Sequence, residues 1–128
     1  MANSSEGGHP LSPHLTVYRL QITSVLSIFH RASGCFMALS LALIVWWFLA
    51  GATGSEYFAF VDGLMTSVIG ALILIASAAA FFYHLCNGLR HMWWDMGNGF
   101  ELDQVTSSGW LTMIAAGALT VILLFVAL

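Results

Sequence analysis

The sequence predicts an all-α membrane protein built from three transmembrane helices. Three observations carry that expectation. The chain of 128 residues is 59% hydrophobic and 7% charged, whereas soluble domains carry about 25% charged residues. Its few charges lie between or at the ends of three long apolar stretches, over about 24–50, 63–93 and 107–128. Small residues recur at every fourth position, as in Gly34-Ala38-Ala42 and Thr112-Ala116-Thr120, the spacing that lets helices approach closely in lipid. There is no lysine and no basic patch, so nucleic-acid binding has nothing to rest on. No internal repeat is visible, which argues against a transporter built from inverted repeats.

Residues 1–23 are polar and form a segment outside the membrane. Pro10 and Pro13 favour an extended or turning path as far as His14. Residues 15–22 suit a short interfacial helix, with Tyr18 and Arg19 at headgroup level. The first nine residues contain Glu6 but no arginine or lysine, so neither a secretory signal nor a transit peptide is expected. The first span, 24–50, has an uncharged run from Ala32 onward, long enough to cross a hydrocarbon core of about 30 Å. Trp46 and Trp47 mark its far end, at an aromatic belt. A loop over 51–62 carries Glu56 and Asp62. The second span, 63–93, is uncharged as far as Leu89, and a loop over 96–106 follows with Gly97, Gly99, Glu101 and Asp103. The third span, 107–128, has no ionisable side chain. Cys35 and Cys86 lie inside spans at no metal-binding spacing and behave as small hydrophobes. Arg19, Arg31 and Arg90 fall on one side of the membrane, and the opposite loop has only acids. The positive-inside rule then puts the N-terminus in the cytoplasm and the C-terminus outside.

Chemistry concentrates at residues 82–95. On a helix, His84, Gly88 and His91 share one face, with Ala76 and Ala80 beneath them. A stripe of small residues leading to an imidazole could accept a large flat ligand. The plainer alternative is that His84 hydrogen-bonds a neighbouring helix while Arg90, Trp93 and Trp94 anchor the interface. His84 and His91 lie two turns apart on the same face, so they do not ligate opposite faces of one haem. A second ligand comes from His30 or from another chain. Asp95 is placed to orient His91 or to pair with Arg90. In the first span, Ser27 and Arg31 are four residues apart, with His30 adjacent. An ionisable group deep in the bilayer costs about 2.5–3.5 kcal/mol. The cluster therefore reads as a donor set for an acidic or carbonyl-bearing ligand, against the alternative that Arg31 snorkels to the headgroups and His30 caps the interface. His9 and His14 fall outside the membrane.

Ser12-Pro13-His14-Leu15 with Tyr18-Arg19, then Ser27-Ile28, His30-Arg31 and Ser33-Gly34, resembles the start of the cytochrome b subunit of succinate dehydrogenase. His84-x-x-x-Gly88-x-Arg90-His91 with Asp95 resembles that family's second signature. The motifs span 12–95 in the family's order, and three helices match its architecture. His9-Pro10 departs from the Arg-Pro of many relatives. The resemblance implies one of two membrane anchors of respiratory complex II in the bacterial inner membrane. His84 would be an axial ligand of a b-type haem, with the opposite ligand from the second anchor subunit. His30, Arg31 and His91 would lie near the haem propionates. Ser27, Ile28 and Arg31 would contribute to the ubiquinone site, beside the iron–sulfur subunit. FAD, the iron–sulfur clusters and succinate oxidation would belong to the flavoprotein and iron–sulfur partners. Two other readings stand beside it: the anchor of a quinol:fumarate reductase running in the opposite direction, and a cofactor-free packing subunit.

Overall fold

The computed structural model describes residues 19–127 as four helices: α1 (Ile22–Thr53), α2 (Ser55–Met65), α3 (Val68–Asp95) and α4 (Leu102–Ala127). Three of them, α1, α3 and α4, are long and apolar enough to cross a membrane, as expected. The 32 residues of α1 extend about 48 Å, well beyond a hydrocarbon core of about 30 Å. Its ends therefore reach the headgroup regions or the helix tilts. The segment before Arg19, with its prolines, His9, His14 and Tyr18, lies outside the described residues. Of the interfacial helix expected over 15–22, Arg19, Leu20 and Gln21 are non-helical, and α1 starts only at Ile22.

The expected loop over 51–62 is instead mostly helix. α1 continues through Gly51, breaks only at Gly54, and the chain turns at once into α2. Glycine and acids at 51–62 read as a turn, but Val61 and Met65 stand one turn apart and form an apolar stripe. Both are buried against Ala50, with Trp46 and Trp47 packed alongside. The two indole N–H groups are satisfied there: Trp46 Nε1 donates to Tyr57 Oη at 3.0 Å and Trp47 Nε1 to Asp62 Oδ1 at 3.2 Å. The tryptophan pair thus ties α2 to the far end of α1 as well as marking the membrane boundary.

α3 begins at Val68 rather than 63, because Ser67 caps it: its Oγ accepts from the Gly70 N–H at 3.1 Å. The α2–α3 corner is so tight that a Cβ on Gly70 would collide with the carbonyl oxygens of Leu64 and Met65. These are backbone atoms and cannot step aside. Gly70→Ala should therefore cost at least about 1–3 kcal/mol, the usual range for overpacking, read as a lower melting temperature of the assembled protein. An unchanged melting temperature would show that the corner opens freely. At its other end α3 stops at Asp95, and Gly97 adopts φ +82°, the left-handed turn that glycine takes without strain.

Packing follows small and hydroxyl side chains. On α4, Gly109, Thr112, Ala116 and Thr120 are buried, which includes the Thr112-Ala116-Thr120 stripe expected from sequence. Each threonine hydroxyl donates to the carbonyl four residues back, so no polar atom is left bare in the contact. On α1 the expected Gly34-Ala38-Ala42 stripe does not pack inside this chain beyond Gly34, and Ala38 and Ala42 are exposed. The face that does pack carries Leu26, Ser33 and Ser40, spaced by seven residues. Ser40 Oγ meets Ser77 Oγ of α3 at 2.8 Å, and Tyr83 donates to the Leu26 carbonyl at 2.6 Å. On α3, Ala76 is exposed and Ala80 is half-buried.

Candidate functional site

The start of α1 and the end of α3 lie at the same end of the bundle, and three imidazoles meet there. His30 stacks face to face on His84, with ring centroids 3.9 Å apart and planes 12° from parallel. His91 lies 5.3 Å from His30, tilted against it, and packs edge-on to Trp94. Two glycines permit this approach. A Cβ on Gly34 would sit 3.1 Å from His84 Cε1, and one on Gly88 would sit 3.9 Å from His30 Cε1. Each glycine thus faces the histidine of the opposite helix. The space expected beside Gly88 for a macrocycle is taken by the His30 ring.

The orientation of His84 is fixed by what its Nδ1 touches. That atom is 3.1 Å from the His30 carbonyl oxygen and 3.1 Å from Ser33 Oγ. A carbonyl only accepts, so Nδ1 carries the proton and donates. Ser33 in turn donates to the same His30 carbonyl at 2.8 Å, which leaves its oxygen free to accept from the imidazole. Nε2 of His84 therefore holds the lone pair, and among the described residues it has no hydrogen-bond partner. This is the arrangement of a metal-ligating histidine, whose other ring nitrogen donates to a carbonyl. His30 Nδ1 is buried with no hydrogen-bond partner, an unsatisfied polar atom of the kind that marks a ligand contact.

The remaining site residues flank this cluster. Ser27 is half-buried at the edge of the α1–α3 contact, and Arg31 is exposed beside it. Ile28 is 57% exposed and lies roughly 160° around the helix from His30, so it faces away from α3. The plainer expectation from sequence is Arg90 as an interface anchor, with Asp95 pairing with it or orienting His91. The structure gives it another role. Arg90 is 6% exposed. Its Nε donates to Ser108 Oγ at 2.9 Å, its Nη2 to the Val105 carbonyl at 2.8 Å and its Nη1 to Asn87 Oδ1 at 3.4 Å. The guanidinium also lies 4.0 Å over the Trp94 ring. Hydrogen bonds to a charged group contribute about 1.5–3 kcal/mol each, so Arg90 clamps α3 to α4. Asp95 forms no ion pair or side-chain hydrogen bond among the described residues.

Sequence reading assigned no role to Ser33, which stands there only within the first motif, or to Asn87, yet both hold the imidazoles. Polar residues buried on helix faces that carry histidines were the available signal. A separate apolar groove of about 750 Å³ lies one turn deeper, between Met37 and Leu41 of α1 and Phe81 and Phe82 of α3. None of the histidines lines it.

The chain matches the model of the succinate dehydrogenase/fumarate reductase transmembrane subunit over residues 6–124. It belongs to that family. A succinate dehydrogenase cytochrome b556 subunit of Rickettsia felis is 38% identical over 114 residues, covering 89% of each chain. The cytochrome b556 subunit of Paracoccus denitrificans is 39% identical over 126 residues, 98% of this chain and 97% of the other. The cytochrome b560 subunit of Marchantia polymorpha is 37% identical over 119 residues, covering 88% of this chain and 86% of the other.

The family names imply a haem, and the residues present fit one imidazole ligand from this chain. His84 offers an oriented Nε2 lone pair. His30 does not supply the opposite ligand in this arrangement, because stacked rings in contact leave no gap for a macrocycle between them. His91, about 10 Å further along α3 by helical rise, is nearer the interface.

Proposed function

We propose that this chain is the haem b-bearing membrane anchor of a succinate:ubiquinone oxidoreductase, supplying one haem ligand and part of the ubiquinone site. The observation that carries the reading is the His84 tautomer: Nδ1 is held by the His30 carbonyl and Ser33, and Nε2 is left as a ligand. A bound haem b supplies reversible one-electron chemistry at a potential tuned by its ligands and surroundings. The chain contributes His84 Nε2 as ligand, an apolar dielectric, and polar contacts to the propionates from His30, Arg31 and His91. The buried, unsatisfied His30 Nδ1 supports that assignment. Ser27 and Arg31, one turn apart, offer hydroxyl and guanidinium donors to the carbonyl oxygens of ubiquinone, with Ile28 as apolar lining. Such preplaced donors hold developing negative charge on the quinone oxygens. The second anchor subunit would supply the other haem ligand. The flavoprotein and iron–sulfur subunits carry FAD, the clusters and succinate oxidation. The relatives described above carry the dehydrogenase name, which favours succinate oxidation over fumarate reduction. The test is the optical spectrum of the purified complex, reduced first with succinate and then with dithionite. A b-type spectrum is expected, and its absence would leave the cofactor-free packing subunit as the reading.

We place the protein in the bacterial inner membrane with its N-terminus in the cytoplasm. Arg19, Arg31 and Arg90 lie at the end that holds the histidine cluster, and Glu56 and Asp62 at the other. A reporter fused after Leu128 should read as periplasmic. A cytoplasmic reading would reverse the orientation.

A further inference from the structure

Asn87 is 0% exposed and has no place in the ligand set described so far. Its side chain bridges two residues of its own helix. Arg90 Nη1 lies 3.4 Å from its Oδ1, and His91 Nε2 lies 3.3 Å from its Nδ2. A guanidinium has donors only, so the amide oxygen must face Arg90. The amide nitrogen then faces His91 and donates, and His91 Nε2 must accept. A ring that accepts at Nε2 carries its proton on Nδ1. Arg90 is itself held by Ser108 and the Val105 carbonyl of α4, which fixes the direction of the whole chain of bonds.

We propose that Asn87 is a positioning residue: anchored by Arg90, it sets His91 in the Nδ1–H tautomer, so that this ring presents a donor and not a lone pair to its ligand. The relay runs from the start of α4 through Arg90 and Asn87 to His91. It makes the α3–α4 contact part of the site. Placing His91 at a haem propionate rests on the function proposed above. The tautomer assignment does not.

The test uses the assembled complex with isotope-labelled histidine, reduced to remove haem paramagnetism. His91 resonances are assigned by their loss in His91→Phe. His91 Nδ1 should appear protonated and Nε2 unprotonated. In Asn87→Asp both neighbours of residue 87 meet acceptors, and the His91 pattern should reverse, with Nε2 protonated. An Nε2-protonated ring in the native complex, or an unchanged pattern in Asn87→Asp, would overturn the proposal. A second arm separates positioning from packing. Asn87→Leu should shift the haem midpoint potential in the same direction as His91→Phe, and the double variant should show no shift beyond His91→Phe alone. Additive shifts would mean that Asn87 acts by packing and not through His91. If Asn87→Leu does not assemble, the Asn87→Asp arm decides. If His84→Leu leaves the haem spectrum untouched, His84 is not the ligand, and the labelled-histidine result still judges the tautomer.

Discussion

His84→Leu is expected to abolish the low-spin b-type spectrum of the reduced complex. The leucine removes the imidazole whose Nδ1 is held by the His30 carbonyl and Ser33, leaving Nε2 as the proposed ligand. It keeps a side chain of similar bulk against Gly34, where the α1–α3 approach is closest, so assembly should survive. A residual high-spin haem held by the partner's ligand is compatible with this outcome, because only one of two axial bonds is lost. His91→Leu should leave the bis-histidine signal in place, because His91 lies about 10 Å further toward the interface. Quinone reduction should survive in part in the His84 variant, since Ser27 and Arg31 stand on another helix and electrons can arrive from the iron–sulfur subunit directly. An unchanged low-spin spectrum in His84→Leu, with loss in His91→Leu, would exchange the two roles.

Arg31→Ala should lower succinate–ubiquinone turnover by roughly 10²-fold, the usual cost of removing one preplaced donor from a site where negative charge develops. Ser27→Ala should lower it by less, because a hydroxyl carries no formal charge. Succinate oxidation with soluble artificial acceptors should remain near native in both, since the proposed function puts that chemistry in partner subunits. Arg31 is exposed within this chain and makes no hydrogen bond among the described residues. Its removal therefore breaks nothing inside the chain, unlike that of Arg90, whose hydrogen bonds to Ser108 and the Val105 carbonyl tie α3 to α4. Normal ubiquinone kinetics in both variants, with normal assembly, would exclude Ser27 and Arg31 from the quinone site.

The three spans were legible in the sequence because a bilayer imposes a simple rule: about twenty apolar residues with few charges. The Thr112-Ala116-Thr120 stripe was legible for the same kind of reason, since a spacing of four residues fixes a helix face whatever lies opposite. His84 stood out because an imidazole within an uncharged span is rare. α2 was not legible. Its acids and glycine resemble a turn, and only Ala50 and the tryptophans of α1, folded back over it, make Val61 and Met65 a buried stripe.

Sequence by itself therefore determined the number of spans, the end of the bundle where the histidines and arginines gather, and the family. Tertiary structure decided what each polar side chain does there. Arg90 and Arg31 look equivalent in sequence, yet one is enclosed by Ser108, Val105 and Asn87 while the other is open. His30, His84 and His91 are the same residue type, yet His84 Nδ1 meets a carbonyl, His91 Nε2 meets an amide donor and His30 Nδ1 is buried with no partner. A helical repeat fixes which residues share a face. The proton on an imidazole is set by the atom opposite each nitrogen, and for His84 that atom belongs to another helix, 54 positions away.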